Sequence, residues 1–97
     1  MISTYILNGR THEACDDLLE WARWMATAER HVAHDTIDGV RVSTVFLGLD
    51  HQFGNGPPLL FETMIFGGED DGYQERYATW EEAEAGHVAA LEKVRGR

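Results

Sequence analysis

An Asp-Gly pair at positions 38 and 39 separates two β-prone runs, HVAHDTI and VRVSTVFLGL. Such a pair is the strongest short-range signal for a two-residue hairpin, because both central residues must take positive φ and Asp and Gly do so at small cost. It predicts an antiparallel pair of strands at about 32–37 and 40–49. Along the second strand, Val40, Val42, Thr44 and Phe46 share one face, and Arg41, Ser43, Val45 and Leu47 share the other. Both faces turn apolar after Thr44, as expected of a strand inside a sheet rather than at its edge. LLFETMIF, at 59–66, is a second strand of the same kind, apolar on both faces except at Glu62 and Thr63.

The flanking segments supply the second layer. STYIL at 3–7 favours a strand, and Asn8-Gly9 turns the chain. From about Glu13 to Arg30 the period becomes helical, with Ala14, Leu18, Trp21, Ala22, Met25 and Ala28 on one stripe. Thr11 is the expected N-cap, which places Cys15 in the first turn. YQERYAT at 73–79 alternates like an outer strand. Thr79-Trp80-Glu81-Glu82 has the form of a capping box and opens a helix to about Arg95. Its inward stripe is Trp80, Ala83, His87, Ala90, Leu91 and Val94. The order β-α-β-β-β-β-α, in a chain of 97 residues, predicts a single α+β domain over 1–97. It is expected to be a two-layer sandwich: a mostly antiparallel meander of about five strands with two amphipathic helices.

Seventeen acidic residues against eight basic ones give a formal net charge of −9. Such a surface repels polyanions, so no direct nucleic-acid binding is expected. The same charge permits imitation of a nucleic-acid backbone, with Glu69, Asp70, Asp71, Glu81, Glu82 and Glu84 as the acidic clusters; helix capping and solubility are the plainer uses of those residues. Single arginines can still hold one phosphate. Cys15 is the one cysteine, which excludes an intrachain disulfide and fits a reducing cytosol. MISTYILNGRTHEA has neither a basic n-region nor a long apolar core, so it does not read as a signal peptide, and no apolar stretch is long enough to imply a membrane span.

STVFLGLDHQFGNGPPLLFETMIFGG, together with ERYATWEEAEAGH, resembles a group of short bacteriophage and prophage proteins. The similarity extends over roughly 40–90 and more loosely over the N-terminal helix. It brings no catalytic role with it. What it implies is a setting: a viral accessory gene acting in the cytoplasm of a bacterial host.

Between the two central strands lies DHQFGNGPP, at 50–58. Pro57 and Pro58 stiffen its exit, while Gly54 and Gly56 allow close backbone approach. It serves equally as a long hairpin connection and as a rigid wall for a ligand, with Asp50, His51, Phe53 and Asn55 as its candidate contacts. Glu62 sits in the most apolar strand and needs a partner, for which Arg41 and Arg76 are placed on flanking strands. Arg76 would also hold a phosphate, and Phe53 or a Tyr would stack on a base.

Other chemistries find less support. His31 and His34, three apart in a strand, should face opposite ways. With Asp35, Asp50, His51, Glu62 and His87 they form no recognised metal-ligand spacing, so no metal and no cofactor are expected. Ser43 and Thr44 lie inside a strand. Cys15 is either a thiol activated by a helix dipole or a small buried hydrophobe. No catalytic residue is assigned, Asp50 with His51 being the acid–base pair a small hydrolase would use.

Three tryptophans and two-sided apolar strands exceed what two helices can cover, which points to self-association as a dimer or higher oligomer. The leading expectation is a non-enzymatic antagonist of a host process or host defence that binds a small phosphorylated or nucleotide signal at the dimer seam. The alternative is an acidic inhibitor of a host protein.

Overall fold

A computed structural model describes residues 3–52 and 54–96. The elements run β1 (Tyr5–Asn8), β2 (Thr11–Ala14), α1 (Leu18–Thr27), β3 (His31–Ile37), β4 (Val40–Phe46), β5 (Phe61–Phe66), β6 (Gln74–Tyr77) and α2 (Trp80–Arg95). β3 to β6 form a four-stranded antiparallel meander in sequence order, and β1 with β2 form a separate two-stranded sheet. The expected α+β architecture is therefore present, with six strands rather than about five.

The hairpin signal performs as its chemistry predicts. Asp38 has φ 48° and Gly39 φ 82°, and Ile37 pairs with Val40 directly across the turn. β4 and β5 are the central strands, joined in register from Arg41↔Phe66 to Phe46↔Phe61.

The N-terminal third departs from the reading above. Thr11 does not cap a helix; it pairs with Asn8 and begins β2. The chain returns along β1 because Gly9, at φ 66°, closes a tight turn and the Thr4 hydroxyl binds the Cys15 carbonyl at the far end of the ladder. Asp17 caps α1 instead, its Oδ1 accepting from the backbone N–H of Leu19 at 3.0 Å and of Glu20 at 3.1 Å. Cys15 thus lies before the helix, 7% exposed, and burial pushes its thiol pKa up, with Glu20 adding to the rise. It is a small hydrophobe here, not an activated nucleophile.

This small hairpin is tied to the segment that follows β4 by backbone bonds from Tyr5 N–H to the Gly48 carbonyl, 2.8 Å, and from Asp50 N–H to the Ser3 carbonyl, 3.1 Å. Gly48 has φ +76°, a left-handed conformation that favours glycine, and a Cβ there would push on the Met25 thioether of α1 at 2.7 Å.

α2 follows its sequence signature. The Thr79 hydroxyl accepts from Glu82 N–H at 3.1 Å, and Glu82 Oε1 accepts from Thr79 N–H at 3.2 Å, a complete capping box. Ala83, His87 and Ala90 are its buried residues.

Both helices and the small hairpin pack on the same face of the four-stranded sheet. One core cluster joins Phe46, Leu60, Phe61 and Ala83 to Tyr5, Leu7, Trp24, Val32, Tyr77 and Trp80. A second joins Val42, Ile65 and Ala90 to Val40, Tyr73, Leu91 and Val94. The three tryptophans are all half-buried. Among the described residues, no helix is long and apolar enough to cross a membrane.

Candidate functional site

A polar layer crosses the covered face between the two core clusters. β4 contributes Thr44 between Val42 and Phe46, β5 contributes Thr63 between Ile65 and Phe61, and α2 contributes His87 between Ala90 and Ala83. The Thr44 hydroxyl lies 2.5 Å from that of Thr63 and 2.7 Å from His87 Nδ1. His87 Nε2 lies 2.7 Å from Asp35 Oδ2 on β3. An Asp–His–Thr line suggests a nucleophile with its base, but Thr44 and Thr63 are wholly inaccessible and His87 is 3% exposed. No substrate atom reaches the hydroxyl.

The layer is a structural clamp. It satisfies every ring nitrogen of His87 and fixes α2 across three strands. Beyond it, the Tyr77 hydroxyl is buried without a well-formed hydrogen bond, and burial raises its pKa. Gly86 permits this approach, since a Cβ there would lie 2.1 Å from the Tyr77 hydroxyl. Asp35 and His87 were visible in the sequence as polar candidates. Their partnership with the two threonines was not.

The opposite face of the sheet is open and differently built. Pairing places Arg41 beside Phe66, Ser43 beside Met64 and Val45 beside Glu62, with Gln74 and Arg76 continuing the last two rows onto β6. His31, His34, Arg41, Ser43, Val45, Glu62, Met64 and Phe66 line a shallow trough of about 420 Å³.

Glu62 is nearly buried, at 9% exposure. Its Oε2 accepts from Arg76 Nε at 3.0 Å and from the Gln74 amide. The expected cross-strand ion pair therefore forms, and Arg76, not Arg41, is the partner. Arg41 instead lies over the Phe66 ring, 4.4 Å from its centroid, and has no ion pair among the described residues. The trough thus has one carboxylate, already neutralised, and one uncommitted guanidinium, on a chain whose net charge is −9.

His31 and His34 both belong to this trough, against the strict alternation expected of them. The pairing of β3 with β4 shifts between His31 and Ala33, and this bulge turns the two imidazoles to one side. Their ring centroids are 5.6 Å apart. Glu29 Oε1 accepts from His31 backbone N–H at 2.8 Å and lies 3.0 Å from His31 Nδ1, and these bonds hold the Glu29 carboxyl below its ordinary range. Among the described residues, no three His, Cys, Asp or Glu side chains converge on a common point.

The 50–58 loop has its own order. Asp50 Oδ1 accepts from Gln52 N–H at 2.8 Å and from Leu59 N–H at 3.1 Å, closing the neck of the loop, and Gln52 Nε2 donates to the Pro57 carbonyl at 3.2 Å. Asp50 acts as a backbone staple. His51 is half-buried at the neck, Asn55 is exposed at the tip, and Phe53 lies outside the described residues. Neither Asp50, His51 nor Asn55 lines the trough. Of the candidate contacts, the sheet brings Glu62 and Arg76 together and leaves the loop residues apart from them. His31, His34 and Arg41 take their place, joined by a bulge and a cross-strand register that no local spacing encodes.

Comparison of the chain with protein-family models, with curated proteins and with solved structures gives no match.

Proposed function

We propose that this chain is a non-enzymatic, phage-type accessory protein of the bacterial cytoplasm that sequesters a small phosphorylated ligand, a nucleotide being the chemical type that fits best. The open sheet face is its binding face, and a second copy laid over that face would enclose the ligand. The observation that carries the reading is Arg41: a guanidinium braced on Phe66 with no ion pair among the described residues, in a trough whose lining carboxylate, Glu62, is already bound to Arg76. On a strongly acidic chain this is a local place where the carboxylate lining the trough is already compensated. The trough volume lies within the range of small-molecule sites, and Phe66, Val45 and Met64 supply apolar surface for a base.

Several members of the acidic clusters are engaged in the fold, which favours this reading over charge mimicry. Glu82 completes the capping box, Asp71 accepts from Gly67 N–H at 2.7 Å, and Glu84 faces Arg10 at 3.8 Å. Asp50 is engaged in closing its loop, which favours binding over hydrolysis by Asp50 and His51.

Calorimetric titration with inorganic phosphate, nucleoside monophosphates and cyclic dinucleotides tests the proposal. At least one nucleotide should bind in the micromolar range, weaken ten-fold or more in Arg41→Ala, and be recovered chemically unchanged after denaturation. Binding no tighter than millimolar for all of them, undiminished binding by Arg41→Ala, or recovery of an altered compound would each defeat it.

A further inference from the structure

β3 is an edge strand of the four-stranded sheet, and its bulged beginning carries two imidazoles on the open face. Their centroids are separated by 5.6 Å and their planes are inclined by 48°. A metal ion with bonds of about 2.0–2.1 Å to two imidazole nitrogens, in tetrahedral or trigonal array, would hold the ring centres roughly 5–5.5 Å apart. The two rings already stand close to that spacing without a metal.

Glu29 prepares one of them. A carboxylate can only accept, so the proton of a neutral His31 ring lies on Nδ1, facing Glu29 Oε1 at 3.0 Å. The lone pair is then left on Nε2. Carboxylate, imidazole and metal stand in this order behind many metal-bound histidines. His34 is exposed, and its ring makes no hydrogen bond or ion pair among the described residues, so its ring nitrogens are open to a ligand.

We propose that His31 and His34 chelate a divalent transition metal ion of the imidazole-preferring class, Zn²⁺, Ni²⁺ or Cu²⁺, with Glu29 as the positioning carboxylate. Two protein ligands leave the remaining coordination positions open toward the trough, where water or an anionic group completes them. The hard, oxygen-seeking ions Mg²⁺ and Ca²⁺ find no such donors here. The site stands independently of the phosphorylated-ligand reading, since the metal alone is the probe.

The test titrates the full chain, freed of metal, with NiCl₂ and ZnCl₂ while following the imidazole resonances and the heat of binding. One ion per chain should bind in the micromolar range, shifting or broadening the rings of His31 and His34 and sparing those of His12, His51 and His87. His31→Ala and His34→Ala should each weaken binding at least ten-fold with unchanged thermal melting, because both rings are on the surface. Glu29→Ala should weaken it several-fold, and Glu29→Gln, which can still accept from Nδ1–H, should restore part of the loss. MgCl₂ should give no response. Absence of saturable binding below millimolar metal, binding that survives the loss of His34, or a primary response at His12 or His51 would overturn the proposal.

Discussion

The two faces of the four-stranded sheet are made of the same alternating strands yet do opposite things with their polar residues. On the covered face, Thr44, Thr63 and His87 are sealed between two apolar clusters and satisfy one another, with Asp35 completing the line. On the open face, Arg76 neutralises Glu62, while Arg41, His31 and His34 remain accessible beside Val45, Met64 and Phe66. The difference teaches how to separate a structural polar group from a functional one. A buried polar residue whose bonds are all internal fixes a packing arrangement. A polar residue on a half-wet apolar face, with bonding capacity left over, is available to a ligand.

The comparison breaks most readily at the aromatic core. Phe46→Ala or Phe61→Ala should cost about 3–5 kcal/mol, a large share of what holds so small a domain, whereas Met64→Ala on the open face should cost about 1 kcal/mol or less. Urea denaturation of the three variants measures this. Equal losses would mean that the two faces are equally covered.

The next effect concerns the polar layer. Thr44→Val keeps the shape of the side chain but removes the hydroxyl shared by Thr63 and His87 Nδ1. The loss should be about 1–3 kcal/mol, and the double variant with His87→Leu should lose less than the sum of the two single changes. Additive losses would show that the layer is a set of independent contacts rather than one clamp.

The smallest effect sharpens the boundary of that clamp. Tyr77→Phe removes a buried hydroxyl that lacks a well-formed bond, so stability at neutral pH should change by less than about 0.5 kcal/mol. Burial raises the Tyr77 pKa, so the fold favours the neutral phenol. Stability is therefore complete below the unfolded-state value of about 10 and drains as pH rises toward the folded one. The Phe variant should lose less stability than the parent between neutral and strongly alkaline pH, as read from urea midpoints. A large loss at neutral pH would instead place Tyr77 inside the polar layer, bonded to Thr63.

Features written in short stretches were legible. Asp38-Gly39 specified the hairpin because positive φ is a property of two residues, and Thr79 with Glu82 specified the start of α2 because a capping box spans one turn. The stripe of α2 and the central position of β4 and β5 followed from periodicity. β2 was missed because four largely polar residues, Thr11–Ala14, carry little strand pattern, while the helical stripe beyond them extends back to Ala14. Asp17 outcompeted Thr11 as cap because the hairpin had already taken Thr11 into a ladder.

The sequence alone determined much of the layering: which strands are two-sided, where the main hairpin turns, and which face of α2 turns inward. These depend on local propensity and on hydrophobic period. The stripe expected for α1 did not hold, since Leu18 is exposed and Trp24 packs on the core instead. The tertiary structure decided which polar residues meet. Asp35, Thr44, Thr63 and His87 come from four elements, and a bulge, invisible in spacing, sets His31 beside His34. The physical reason is that a hydrogen bond or a chelate requires positions set to within a few tenths of an ångström. Only the register of neighbouring strands and the seating of a helix upon them fix positions that closely.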